Sequence, residues 1–225
     1  MEDSIIARIP LFERMSPEER EELRGMMSQT TLRRGDVLFN EGDSGDRLYI
    51  LLTGKVKLGH TSVDGRENLL AVLGPGEVVG ELTLFDPGPR STTATAVATT
   101  ELLALEHNQL MGFIDSHPTL AKDMLRALAV RLRRTNIALA DLVFSDVPGR
   151  VAKALLDLAE RFGAPTEDGI HVPHDLTQEE LAQLVGASRE TINKSLAEFV
   201  SRGWIRLEGR AVTLIDVERL KRRAR

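Results

Sequence analysis

Two groups of residues in this 225-residue sequence have side chains and spacings suited to chemistry. The first is Gly80-Glu81-Leu82-Thr83, which follows a glycine-rich turn (Gly74, Gly76) and precedes Arg90-Ser91. Glycines let backbone N–H groups approach an anion without a side-chain clash. The Arg90 guanidinium fork and the Ser91 hydroxyl match phosphate oxygens. A carboxylate at Glu81 would repel phosphate, so its partner is a donor such as a ribose hydroxyl, the role an acidic residue fills in dinucleotide sites. Taken alone, the same letters also describe a turn beside a surface arginine.

The second group is Ser188-Arg189-Glu190 with Asn193 and Lys194. Arginine pairs bidentately with guanine O6 and N7, glutamate accepts from cytosine N4, and lysine reaches guanine or phosphate. Ahead of them, Thr177-Gln178-Glu179-Glu180 spells a capping box, with Leu181, Leu184 and Val185 as a buried face. Gly186 ends that helix, and Ser188 caps a second one whose apolar positions are Ile192, Leu196 and Phe199. Two short helices joined by a glycine turn make a helix-turn-helix, with the polar group on the end that enters a major groove. Residues 205–215 read as two strands around Glu208-Gly209, a β-wing that would carry Arg206 and Arg210 toward the DNA backbone. An ordinary capped helical hairpin shares part of this pattern.

These groups need elements to position them. Ser16-Pro17-Glu18-Glu19 opens a short helix by a capping box. From about Thr31 to Leu105 the texture is short apolar or alternating runs, at 36–39, 47–52, 55–58, 67–73 and 101–105. Turns at Gly42-Asp43, Thr53-Gly54, Asp64-Gly65 and Gly74-Pro75-Gly76 separate the runs, which predicts an antiparallel sandwich or barrel rather than a βαβ sheet. After Pro118 no glycine or proline occurs until Pro148. Ala121, Leu125, Leu128, Leu132, Thr135, Leu139 and Leu142 recur there in steps of four and three, the seam of a two-helix pair. A single helix packed on its own domain is the alternative. Residues 145–149 read as a hinge, and an amphipathic helix from Arg150 to Phe162 follows, then a polar loop.

Charge is unevenly placed. The net charge is −5, yet residues 186–225 hold ten basic and five acidic residues and so carry +5. A basic end on an acidic body suits a protein that presents one end to phosphates, although a solvated basic tail gives the same sum. Zero cysteines exclude disulfides and cysteine-ligated metal or iron–sulfur centres, and fit a reducing, cytoplasmic setting. The start lacks the order of a secretory signal, and no apolar run approaches the roughly 18 residues of a membrane helix.

Two further motifs are set aside. Gly42-Asp43-Ser44-Gly45 spells a serine-protease nucleophile signature, but it lies in an acidic turn between strand-like runs. His171 and His174 have no cysteine or spaced third ligand, and read as solvated residues of the polar loop.

The sequence resembles the CRP/FNR family of winged-helix regulators, and within it the actinobacterial type of the cyclic-AMP receptor branch. The resemblance spans nearly the whole chain. It rests most on residues 176–191 (LTQEELAQLVGASRET) and 76–85 (GEVVGELTLF) with Arg90-Ser91. It implies an α+β architecture: an N-terminal antiparallel β-roll (jelly-roll) that binds a cyclic nucleotide over 1–117, a dimerisation helix over 118–145, and a winged helix-turn-helix over 146–225. It implies cyclic AMP as effector, held by Gly80, Glu81, Leu82, Thr83, Arg90 and Ser91, with Thr135 and Asn136 on the base. It implies DNA contacts by Thr177, Gln178, Ser188, Arg189, Glu190, Asn193 and Lys194, with palindromic DNA, a second copy of the chain and RNA polymerase as partners, no membrane and no catalysis. Lys194 stands where enteric relatives carry arginine, and Asn136 where they carry serine. The alternatives are a family member with another effector or none, and a jelly-roll metal enzyme using His60 and His107, which lie far apart in sequence.

Overall fold

The computed structural model describes Ile9, Phe12 and residues 14–62, 67–86 and 88–224, without the side chains of Leu84, Phe85, Arg134 and Ala138. The start of the chain, the Asp64-Gly65 turn and Arg225 lie outside the described residues. By its contacts the chain divides into two compact units, Met1–His60 with Ala71–Arg134, and Thr61–Leu70 with Thr135–Arg225.

The first unit opens with helix α1, Pro17–Gly25. Its capping box is formed as read: the Ser16 hydroxyl accepts from Glu19 N–H at 3.2 Å, and the Glu19 carboxylate accepts from Ser16 N–H at 2.6 Å. Eight strands follow: β1 Ser28–Leu32, β2 Val37–Phe39, β3 Arg47–Thr53, β4 Val56–Thr61, β5 Glu67–Leu73, β6 Val78–Val79, β7 Thr93–Ala96 and β8 Thr100–Glu106. The short helix α2, Leu82–Phe85, sits between β6 and β7. The strands form two four-stranded sheets, ordered β1-β8-β3-β6 and β2-β7-β4-β5, and the pairings with a defined register are antiparallel.

Alternation along β3 and β8 explains the sandwich. Successive strand side chains point to opposite faces. Leu48, Ile50 and Leu52 with Leu103 and Leu105 join a core completed by Leu23 of α1 and by helix α3, His107–Ser116, through Leu110 and Phe113. Leu51 and Leu102 point the other way, into a core with Phe39, Val56, Leu58 and Leu73. Covered on both faces, β3 and β8 carry nearly continuous apolar runs.

Helix α4 spans Pro118–Phe144, about 40 Å at 1.5 Å per residue. Leu120 and Met124 anchor its first turns in the core, whereas Leu125, Leu132 and Leu139, seven residues apart, are each more than 60% exposed.

The second unit contains α5 (Val147–Phe162), α6 (Gln178–Val185), α7 (Arg189–Ser201) and α8 (Val217–Arg223). Its strands β9 (Ala164–Thr166), β10 (Gly169–Val172), β11 (Ile205–Glu208) and β12 (Ala211–Leu214) form one sheet in the order β11-β12-β10-β9. Val151, Leu155, Leu158, Leu181, Val185, Ile192, Leu196, Phe199, Val212 and Leu214 are buried there. The polar loop expected after Phe162 is therefore a β-hairpin that widens the wing sheet. His171 and His174 are not the solvated pair expected. His171 is half-buried on β10 with Nδ1 at 3.3 Å from Thr213 Oγ1, and His174 is buried with Nδ1 accepting from Leu176 N–H at 3.1 Å. His171 is placed by a strand partner forty-two positions later, which local composition does not reveal, whereas His174 closes a bond to a residue two positions on.

Candidate functional site

The β6–α2 corner builds the first site. Gly80 takes φ +85°, and a Cβ there would come within 2.5 Å of Arg90 Nη1, so only glycine fits both the backbone and the space. Beyond it Glu81, Thr83 and Arg90 are 6%, 7% and 4% exposed. Arg90 Nη1 donates to the Gly80 carbonyl at 2.8 Å and to the Thr83 hydroxyl at 3.0 Å, and Nη2 donates to the Arg47 carbonyl at 2.6 Å. Its guanidinium carbon lies 4.4 Å from the centroid of the Phe39 ring. Burial pulls the Arg90 guanidinium below its ordinary value, opposed by Tyr49, Asp46, Glu81 and Asp43.

A guanidinium has five N–H donors. These bonds engage three, and Arg90 Nε is buried with no partner among the described residues. An unmatched buried donor on a cation is costly. A phosphate oxygen would satisfy it, so the donor set fits a cyclic phosphate.

Glu81 does not face Arg90 alone. Its Oε1 accepts from Arg131 Nη1 of α4 at 2.5 Å. Arg131 is a further site residue, set in a charged stretch of α4 whose local sequence gives no sign of this contact. It precedes Thr135 by four residues, so the two share a helix face. Leu82 is half exposed, and Ser91, Thr135 and Asn136 are exposed. The structure thus gathers Gly80, Glu81, Thr83 and Arg90 and adds Arg131, Phe39 and Gly45.

Gly45 belongs to the tetrapeptide set aside as a turn. A turn it is, with Gly42 at φ +88°, but it walls the site. Gly42 N–H donates to the Arg90 carbonyl at 2.9 Å, and Arg90 N–H donates to the Asp43 carbonyl at 2.8 Å. A Cβ on Gly45 would strike the Thr83 hydroxyl and lie 2.9 Å from the Arg90 guanidinium carbon.

The second site is built by local hydrogen bonds. The Thr177 hydroxyl accepts from Glu180 N–H at 3.1 Å, and the Glu180 carboxylate accepts from Thr177 N–H at 2.7 Å, fixing the start of α6. Gly186 ends it in the left-handed region at φ +69°. The Ser188 hydroxyl accepts from Thr191 N–H at 3.2 Å and starts α7. Ile192, Leu196 and Phe199 are buried, which leaves Gln178, Arg189, Glu190 and Lys194 exposed and Asn193 half-buried.

Charges across this unit are largely self-compensated. Lys194 pairs with Glu190 at 2.9 Å, Arg202 with Glu198 at 2.8 Å and Arg223 with Asp146 at 2.6 Å. Arg206 does not extend from the wing as the sequence suggests: it binds Glu208 at 2.9 Å and Asp168 of the added hairpin at 3.1 Å. The two carboxylates hold its guanidinium above its ordinary value, and Arg206, then Thr213, hold Glu208 below its own. Arg189 and Arg210 are exposed with no side-chain partner among the described residues.

A profile of the cyclic nucleotide-binding domain matches residues 29–117, and one of the Crp-like helix-turn-helix domain matches residues 149–223. The chain is 52% identical over 223 residues to the CRP-like cAMP-activated global transcriptional regulator of Mycobacterium tuberculosis, covering 99% of this chain and 100% of that protein. It is 38% identical over 198 residues to the cyclic AMP receptor protein of Thermus thermophilus, covering 88% of each. The crystal structure of the Thermus thermophilus catabolite activator protein matches with TM-score 0.55 and 36% identity, over 96% of this chain and 98% of that one. A buried arginine with an unspent donor, a capped helix-turn-helix and this likeness along the whole length agree: the chain belongs to the CRP/FNR family of DNA-binding, cyclic-nucleotide-responsive transcription regulators.

Proposed function

We propose that the effector is cyclic AMP, bound in the first 117 residues, and that its binding raises affinity for palindromic DNA read by two copies of residues 146–225. The observation that carries the effector site is Arg90, a buried cation whose Nε has no acceptor among the described residues. Gly80, Glu81, Leu82 and Thr83 would wrap the ribose and phosphate, and Arg90 and Ser91 would hold the cyclic phosphate. Thr135 and Asn136 are assigned to the base on the family resemblance alone. The names of the relatives from Mycobacterium and Thermus support cyclic AMP among cyclic nucleotides.

Residues 118–145 would pair two chains. The exposed heptad row Leu125, Leu132 and Leu139 supports this, because one helix alone gains nothing by presenting that apolar stripe to water. Two recognition helices would then meet half-sites about one helical turn, ~34 Å, apart. Arg189 would pair with guanine and Glu190 with cytosine, with Lys194 and Asn193 beside them and Thr177, Gln178 and Ser188 near the backbone. RNA polymerase as a partner and a cytoplasmic location complete the proposal. Among the described residues no helix is long and apolar enough to cross a membrane.

The test is calorimetric titration with cyclic AMP and cyclic GMP, beside gel shifts on a palindromic probe at stated salt. Heat with cyclic AMP and tighter probe binding in its presence are expected. Equal heats with both nucleotides would remove the adenine assignment, and no heat with either would remove the effector reading.

A further inference from the structure

The Arg90 guanidinium is held by more than hydrogen bonds. One face lies against the Phe39 ring, 4.4 Å from carbon to centroid, and the ring in turn stacks on Tyr49 at 6.2 Å. Phe39 is not aimed there by ordinary strand geometry. The β2–β7 register pairs Val37 with Thr95 but Phe39 with Ala94, an irregularity that shifts the strand by one position. Such bulges re-aim a side chain. Ala94 opposite is small and fully buried, which leaves space for the ring.

We propose that Phe39 is a positioning residue for effector binding: its ring holds the Arg90 guanidinium in the plane that presents Nε to the cyclic phosphate. This rests on the reading that Arg90 binds that phosphate. A cation over an aromatic face is attracted by the ring quadrupole, more strongly where both are out of water, as here. Without the ring, a flexible arginine bonded to two carbonyls and a hydroxyl could rotate its Nε edge away, and binding would have to restore the order. Core filling is the ordinary use of a buried phenylalanine, so the test separates volume from the ring face.

The experiment titrates cyclic AMP into the full-length chain and its Phe39→Leu, Phe39→Met, Arg90→Gln, Phe39→Leu/Arg90→Gln and Phe39→Met/Arg90→Gln forms, with thermal melting of each. Leucine and methionine retain much of the volume and lose the ring face. Expected is a loss of about fivefold to thirtyfold in affinity for Phe39→Leu and Phe39→Met, with little further loss from either change in the Arg90→Gln background. Wild-type affinity in either single Phe39 variant would overturn the proposal. So would an equal loss in both backgrounds, which marks a purely structural role. A Phe39→Leu chain that does not fold leaves the Phe39→Met pair to decide, and two single variants that both fail to fold would make Phe39 a core residue and overturn it as well. If Arg90→Gln binds like wild type, the phosphate reading fails instead, a result distinct from any of these.

Discussion

Arg131, midway along α4, donates to the buried carboxylate of Glu81 at the mouth of α2, fifty positions earlier in sequence. The pair joins the effector corner to the helix proposed to pair two chains. Removing Arg131 leaves a carboxylate out of water without its cation. Arg131→Ala is expected to cost about 1–3 kcal/mol, below the ~3–5 kcal/mol of a fully buried pair because the arginine is a third exposed. Urea unfolding measures it, and Arg131→Ala combined with Glu81→Gln should recover part of the loss.

Gly45→Ala tests the wall of the effector corner. The backbone there is not left-handed, so the penalty comes from the added methyl against Thr83 and Arg90. Overpacking of this kind costs about 1–3 kcal/mol. Cyclic-AMP affinity should fall while DNA binding without effector stays at its wild-type value. Unchanged affinity would show that the two side chains yield to the methyl.

On the DNA side, Arg189→Ala should cost about 1–3 kcal/mol of specific binding and relax the preference at one guanine. Arg210→Ala should weaken all probes alike and flatten the salt dependence. Arg206→Ala should do much less, because Asp168 and Glu208 already hold that guanidinium. Binding curves at several salt concentrations separate the three.

Asp146 caps α5 through Gly149 N–H at 2.9 Å and binds Arg223 of α8 at 2.6 Å. The Arg223 hydrogen bond first, then the Gly149 N–H, hold its carboxyl below the ordinary 3.8. With a depressed folded value, the contribution is complete above the unfolded value and fades as pH falls through the folded one. Acid melting of wild type should therefore lose this increment only below about pH 4. Asp146→Ala should cost about 1 kcal/mol at pH 7, mostly as a lost cap, and progressively less as pH falls below about 4.

Leu132→Glu would place like charges at the centre of the proposed pairing seam. Sedimentation equilibrium should report a dimer for the wild type and a monomer for the variant, with effector heat retained. A dimeric variant would move the interface elsewhere.

What the sequence revealed was mostly what short hydrogen bonds decide. The caps at Ser16, Thr177 and Ser188 and the left-handed Gly186 follow from residues within a few positions of one another. Legible too were the apolar runs of β3 and β8. The hairpin 164–172 was not, because its strands are short, one contains Pro165, and the sheet that stabilises them comes from residues over forty positions later. Arg131 and Gly45 escaped for a related reason. One looked like helical surface charge and the other like a turn until tertiary packing set them against Glu81 and Arg90.

The pinning of Arg206 by Asp168 and Glu208 reaches beyond one side chain. A cation already matched by carboxylates releases few counterions on meeting a duplex, so it adds little to attachment at random sequence. Each copy would linger less on the bulk chromosome, and a larger share would stay free in solution.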